Sequence, residues 1–276
     1  MMQALTVIYT IWLRECTIFT REKVRVIAGI GQPLIYLAVL GNGLGAGARL
    51  TAAGHIDYIK YMYPGVIGMS ILFTSIFSAL SIIWDREFGF LKEVLVAPVP
   101  RWGVAIGKSL GGATVSMVQA IILILIAPIM GISLTVMMVL KLVMLAFLMS
   151  FAVTSLGVVI ASRMQSMQSF QMVMNFMIMP LYFLSGAMFP MTSAPMWMKA
   201  MMTFDPLVYG VDAIRNVVFS DTMITGANGA RESLAVVAHN AGLLRWSLSY
   251  DVTLMTLTAV VLTAAGAWSF SKTQAA

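Results

Sequence analysis

Apolar residues run in long blocks along this chain, and polar positions gather between them. The blocks cover residues 26–44, 62–84, 104–130, 134–162, 170–189 and 252–270. Several reach the ~20 residues that a helix needs to cross a ~30 Å hydrocarbon core, and alternating strand patterns are absent. Six membrane-spanning helices are therefore predicted, with both termini on one side. Residues 1–25 follow a different rule. Leu5, Ile8, Trp12, Cys16 and Phe19 recur every three or four positions, while Gln3, Thr6, Thr10, Arg14, Thr17 and Arg21 form the opposite stripe. That pattern predicts an amphipathic helix lying in the membrane interface. A frayed leader in the cytosol is the alternative.

Composition agrees with a membrane protein. The chain is 60% hydrophobic and 10% charged, with a mean hydropathy of +0.91, whereas soluble domains carry roughly 25% charged residues. The net charge of +6 raises the question of nucleic acid, but the basic residues cluster in the short segments between spans, as the positive-inside rule expects. With both termini in the cytoplasm, ten Lys/Arg fall inside and seven outside, four of the seven in the long region before the last span. The expected orientation is N-in and C-in. No basic segment precedes the first apolar residues, so no cleaved signal peptide is expected.

The exception to the apolar pattern is residues 85–108, DREFGFLKEVLVAPVPRWGVAIGK, with four of the seventeen Lys/Arg residues plus Asp85, Glu87 and Glu93. Such a charged island cannot sit in hydrocarbon, so it is a water-side connection between the second and third spans. Phe88, Leu91 and Leu95 give one apolar face to a short helix, and Pro98 and Pro100 stop it. The segment is either a docking element for a cytosolic partner or an ordinary surface loop. Its end, Gly103 to Ser109, is one residue short of a phosphate-binding loop and has no preceding strand, so ATP binding is excluded there. Gly103, Gly107 and Gly111 recur every four residues. They are either a helix face for close packing or the composition of a helix entry.

Catalysis has no candidate constellation. No serine stands beside a base, and no Cys/His group has metal-ligand spacing. The single Cys16 excludes an intrachain disulfide, and His55 and His239 stand alone in predicted loops. Within the spans the polar residues are few, chiefly Lys141, Gln119, Gln171 and Asn175, which disfavours an ion-coupled carrier. No cofactor is expected on this chain.

The series Arg86-Glu87-x-Gly89, Glu93, Ala97-Pro98, Arg101 and Gly107-Lys108 resembles the signature of type-2 ATP-binding-cassette (ABC) transporter permeases. Residues 184–219, with breaks at Ser185-Gly186 and Phe189-Pro190 and the stretch Pro206-Leu207-Val208-Tyr209, resemble the segment that follows the family's fifth span. The finer likeness is to drug and lipo-oligosaccharide exporters.

The resemblance implies one all-α transmembrane domain over residues 1–276, with a cytoplasmic coupling helix in residues 85–103. It also implies short re-entrant or external helices in residues 190–250. It assigns Arg86, Glu87, Gly89, Phe90, Leu91, Glu93, Pro98, Arg101 and Lys108 to coupling with an ATPase. Phe90 departs from the family pattern, where Thr or Ser is common. The implied assembly has two copies of a separate ATPase, which would carry ATP and magnesium, and two permeases, most simply a homodimer, in the cell membrane. Phe73, Phe77, Gln171, Asn175, Phe183, Ser185 and Gly186 are the candidate lining of a path for an amphipathic drug, lipid or lipid-linked saccharide. A stand-alone channel or carrier, or a non-transporting assembly subunit, are the rival readings.

Overall fold

The computed structural model describes residues 2–45, 58–89, 99–225 and 231–272. Its helices are α1 Met2–Arg21, α2 Lys23–Gly45, α3 Tyr58–Ser78, α4 Leu80–Glu87, α5 Arg101–Ile126, α6 Val136–Arg163, α7 Met167–Leu184, α8 Met196–Phe204, α9 Pro206–Ser220, α10 Leu234–Asn240 and α11 Leu248–Ser271. The expected all-α architecture holds except for one short antiparallel pair, β1 Met223–Thr225 with β2 Arg231–Ser233. His239, expected in a loop, lies in the last turn of α10.

Helix is the form that lets apolar chain satisfy its own backbone hydrogen bonds without water. Among the described residues, four stretches are long and apolar enough to cross a membrane: Tyr58–Glu87 (α3 with α4), Arg101–Met130, Val136–Arg163 and Leu248–Ser271. The other two expected spans are present as helices but fall short of that measure. In α2 the apolar stretch among the described residues is Gly29–Val39. In α7, eighteen residues long, Gln168, Gln171 and Asn175 dilute the apolar character. It also stops at Leu184, five residues before the expected boundary, because the chain reverses at Gly186 with φ +68°, a conformation that suits glycine.

The packing is centred on α3, whose Tyr61, Tyr63, Ile67, Met69, Ile71 and Ile76 are all buried. It is flanked by α2, α5, α6 and α9, while α6 runs along both α5 and α11. Capping residues start the later helices: Ser166 accepts from the Ser169 N–H before α7, Asp205 from the Leu207 N–H before α9, and Ser247 from the Tyr250 N–H before α11. Pro206 follows Asp205 at the first helical position, where its missing N–H costs nothing.

One end of the bundle collects α1, the end of α4, the starts of α5 and α7, and the ends of α6 and α11. Contacts between Arg14 and Asp85, Glu87 and Met167, and Arg101 and Ser271 fix that grouping. The other end holds the start of α3 and the short helices α8, α9 and α10, with Tyr58 donating to the Met188 carbonyl at 3.2 Å.

Candidate functional site

The base of the charged island is a joint among five helix ends. Asp85, near the end of α4, receives both Arg14 nitrogens, at 2.8 and 2.5 Å. Its Oδ2 also accepts from Lys108 of α5, at 2.5 Å. Lys108 reaches Glu15 of α1 at 2.5 Å and Ser81 Oγ at 3.0 Å. Glu15, Asp85 and Lys108 are all buried, so two carboxylates and two cations form a neutral, hydrogen-bonded group. The hydrogen bond from Arg14 to Asp85 holds the guanidinium above its ordinary pKa, against the opposing effect of burial.

Arg86 and Glu87 extend the joint to the next two helices. The Arg86 guanidinium donates to the carbonyls of Met164 and Ser162, the latter at 3.1 Å. Glu87 accepts from the Met167 N–H at 3.1 Å. A cation thus meets the carbonyl end of α6 and a carboxylate meets the N–H end of α7, each in the favourable sense of the helix dipole. Three consecutive residues in this way tie one turn of chain to α1, α5, α6 and α7.

Close packing by glycine makes the joint possible. A Cβ on Gly107 would stand 2.8 Å from Ile11 Cβ, and one on Gly111 would stand 2.6 Å from Glu15 Cβ. The every-fourth-residue glycine pattern is therefore a helix-packing face, and its partner is α1. Trp12 adds a hydrogen bond from Nε1 to Thr114 Oγ1 at 3.0 Å. The face that α1 turns inward carries Ile11, Glu15 and Phe19, whereas Leu5, Tyr9 and Leu13 are exposed. Leu5, expected on the same apolar stripe as Phe19, thus lies outside the packed face.

The sequence-predicted coupling residues separate into three groups. Arg86, Glu87 and Lys108 belong to the joint; Lys108 is buried within the bundle rather than displayed on its surface. Gly89 (φ +83°) ends the described part of the island, and Arg101 donates to the Ser271 carbonyl at 3.5 Å. Phe90, Leu91, Glu93 and Pro98, with most of the expected coupling helix, lie outside the described residues.

The predicted path residues also separate. Phe73 and Phe77 stack at 6.3 Å and line an open groove of about 320 Å³ with Gln32, Trp84 and Gln119. Thr74, hydrogen-bonded to the Gln119 amide, makes its polar floor. On α7, Gln171, Asn175 and Phe183 are exposed beside Met172 and Phe176. Ser185 is buried at the far end of α7, and the Gly186 carbonyl beside it accepts from Arg215 Nη2 at 2.9 Å.

That far end holds a second charged group, which sequence reasoning passed over. Arg215 stacks on the Tyr61 ring at 4.0 Å and stands 3.9 Å from Asp212. Asp212 Oδ2 accepts from the N–H groups of Arg245 and Trp246, both at 3.2 Å. Burial pushes the Asp212 carboxyl up, with Arg215 opposing. Burial also pushes Asp205 up to about 7, against the Leu207 N–H. The signal in the sequence was available: Asp212 and Arg215 stand three apart in an apolar helix, and Glu15 interrupts the apolar stripe of α1 between Trp12 and Phe19.

Residues 6–219, most of the chain, match the family model described as ABC-2 type transporter. Among similar proteins is one named as a transport permease, ycf38, of Cyanophora paradoxa. It is 27% identical over 197 residues, 71% of this chain and 68% of that protein. Nodulation protein J of Rhizobium leguminosarum bv. trifolii is 24% identical over 217 residues, 78% of this chain and 82% of its own length. A protein named as a probable multidrug ABC transporter permease, YbhR of Escherichia coli, is 25% identical over 177 residues, 62% of this chain and 46% of that protein.

Proposed function

Because the chain belongs to the ABC-2 type transporter family, and is thus a membrane transport subunit of an ABC transporter, we propose that it is the permease of an ATP-driven exporter. It works with two copies of a separate ATPase and with a second permease, most simply a copy of itself. Six helices cross the cell membrane: the four long apolar ones plus α2 and α7. The joint end faces the cytoplasm, in keeping with the ten basic residues assigned to that side. The cargo is amphipathic, a drug, lipid or lipid-linked saccharide, and moves outward along the faces of α3 and α7.

The observation that carries this reading is the three-residue anchor Asp85, Arg86 and Glu87 at the root of the island. A partner pressing on residues 90–98 acts on chain fastened at once to α1, α5, α6 and α7. A displacement of residues 85–87 reaches those four helices at once. Two arrangements of the bundle, each favoured by one nucleotide state of the ATPase, then suffice for alternating access. The exposed apolar and amide side chains of α7, and the stacked Phe73 and Phe77, offer the mixed surface an amphipathic cargo needs.

Glu93→Arg tests the coupling. In the assembled permease and ATPase in liposomes, this variant loses cargo-stimulated ATP turnover while the permease still folds and inserts. Turnover and export equal to the parent complex would refute the assignment of the island to coupling.

A further inference from the structure

At the end of the bundle remote from the island, buried charges do not balance. Asp205, Asp212 and Asp251 are three buried carboxyls, and Arg215 is the one buried guanidinium among the described residues there. Arg215 donates to Gly186, lies over the Tyr61 ring and stands 3.9 Å from Asp212, and its Nε has no hydrogen-bond partner among the described residues. Asp212 already accepts two backbone N–H groups. Asp251, in the first turn of α11, is 0% exposed, and neither of its oxygens has a hydrogen-bond partner among the described residues. Asp205 Oδ2 is likewise without one.

A buried carboxylate with no donor and no cation is among the costliest groups a fold can hold, and the usual relief is to take up a proton. The surroundings of Asp251 deepen the cost. Asp212, of α9, lies within electrostatic reach, as does the Tyr209 ring. Arg245, in the loop before α11, stacks instead on Trp246 at 5.0 Å. His239 of α10 acts on Asp212, and Tyr250 precedes Asp251 on its own helix. From α6 the basic group at this end is Lys141, which is exposed, and the outer half of α5 holds no charged residue. The N–H end of α11 supplies a partial positive charge, but it does not replace a counter-ion.

We propose that Asp251 is a proton-binding site and that α9, α10 and the start of α11 close over it only when it is protonated. The step is a plain acid dissociation: the O–H of the carboxyl forms on closure and breaks on opening, with the proton exchanged with water on that side. Below its titration the cap is packed as described above. Above it, the third buried carboxylate repels Asp212 and the cap loosens, so the site makes this end of the bundle sensitive to pH. The proposal stands apart from the transport reading, since it concerns folding of the cap alone.

The test is hydrogen–deuterium exchange on the full chain in nanodiscs, corrected for intrinsic rates, at steps between about pH 5 and about pH 9. In the parent protein, protection of residues 206–220 and 248–254 falls by roughly tenfold or more with rising pH. Asp251→Asn keeps the protection of residues 248–254 to the alkaline limit, and at residues 206–220 it leaves only the smaller fall that belongs to Asp205. A variant profile that overlays the parent's overturns the proposal, as does complete loss of pH dependence on Asp205→Asn alone. Infrared spectra of the unmodified protein provide a readout independent of variant folding. A buried protonated-carboxyl band must be present at acidic pH and vanish at alkaline pH, and its absence at acidic pH overturns the proposal. Repeating the series in choline and in sodium salts separates proton from metal ion: equal profiles support the proton, and a sodium-dependent shift refutes it.

Discussion

The two ends of the bundle bury similar numbers of charged residues to opposite effect. At the island end, Arg14 and Lys108 meet Glu15 and Asp85, and each carboxylate has a cation within 2.5 Å. At the far end three carboxyls are buried with one guanidinium, which stands beside Asp212 alone, and Asp251 and Asp205 keep unpartnered oxygens. Matched charge with complete hydrogen bonding locks helices in one arrangement; unmatched charge leaves an arrangement that depends on conditions. A lever needs the first property at its root. A cap that opens and closes is served by the second.

Unbalancing the island end has the largest expected effect. Lys108→Met removes the cation shared by Glu15 and Asp85 and is expected to destabilise the protein by ~3–5 kcal/mol, because it leaves buried carboxylate charge uncompensated. Thermal unfolding of the detergent-solubilised chain measures it, and a loss below about 1 kcal/mol would show that the joint is weakly held.

Balancing the unbalanced end comes next. The Asp205 carboxyl, at about 7, binds its proton more tightly folded than unfolded. Its contribution is complete below about pH 4 and is lost as pH rises through about 7, a difference of ~4 kcal/mol at most. Asp205→Asn is therefore expected to narrow the gap between acid and alkaline melting temperatures, leaving the share that belongs to Asp251. A gap as wide as the parent's would remove Asp205 from the account.

Gly111→Val gives the smallest of these effects. Its side chain enters space that Glu15 Cβ occupies 2.6 Å away. Overpacking there is expected to cost about 1–3 kcal/mol and to free α1 from α5. Crosslinking between cysteines placed at Trp12 and Thr114 reports it, and unchanged crosslinking would show that α1 is held by the charges alone.

Much of this architecture was legible in the residue pattern. Apolar runs located every long helix to within a few residues, and the island between 85 and 101 emerged because charge cannot lie in hydrocarbon. The spacing of Gly103, Gly107 and Gly111 allowed either a packing face or a helix entry, and the close approach of α1 decided for the face. What escaped was the employment of individual charges. Arg86 and Glu87 read as groups offered to a partner, yet they cap α6 and α7 of their own chain. Lys108 read as the end of a surface segment and is buried. Asp251 fell just outside the expected last span, because a polar turn at its start hid the beginning of α11.

The residue pattern alone was enough to say that this chain is helical and membrane-embedded, because hydrocarbon penalises every unpaired polar group residue by residue. Only the tertiary structure decided which charges meet. Glu15 and Lys108 are 93 positions apart and Arg14 and Asp85 are 71 apart. Whether two such groups lie at 2.5 Å or on opposite faces depends on the rotation and closeness of whole helices, which glycines at the contact permit. The same geometry decided that one end would have matching partners for its charges and the other would keep a carboxyl without one.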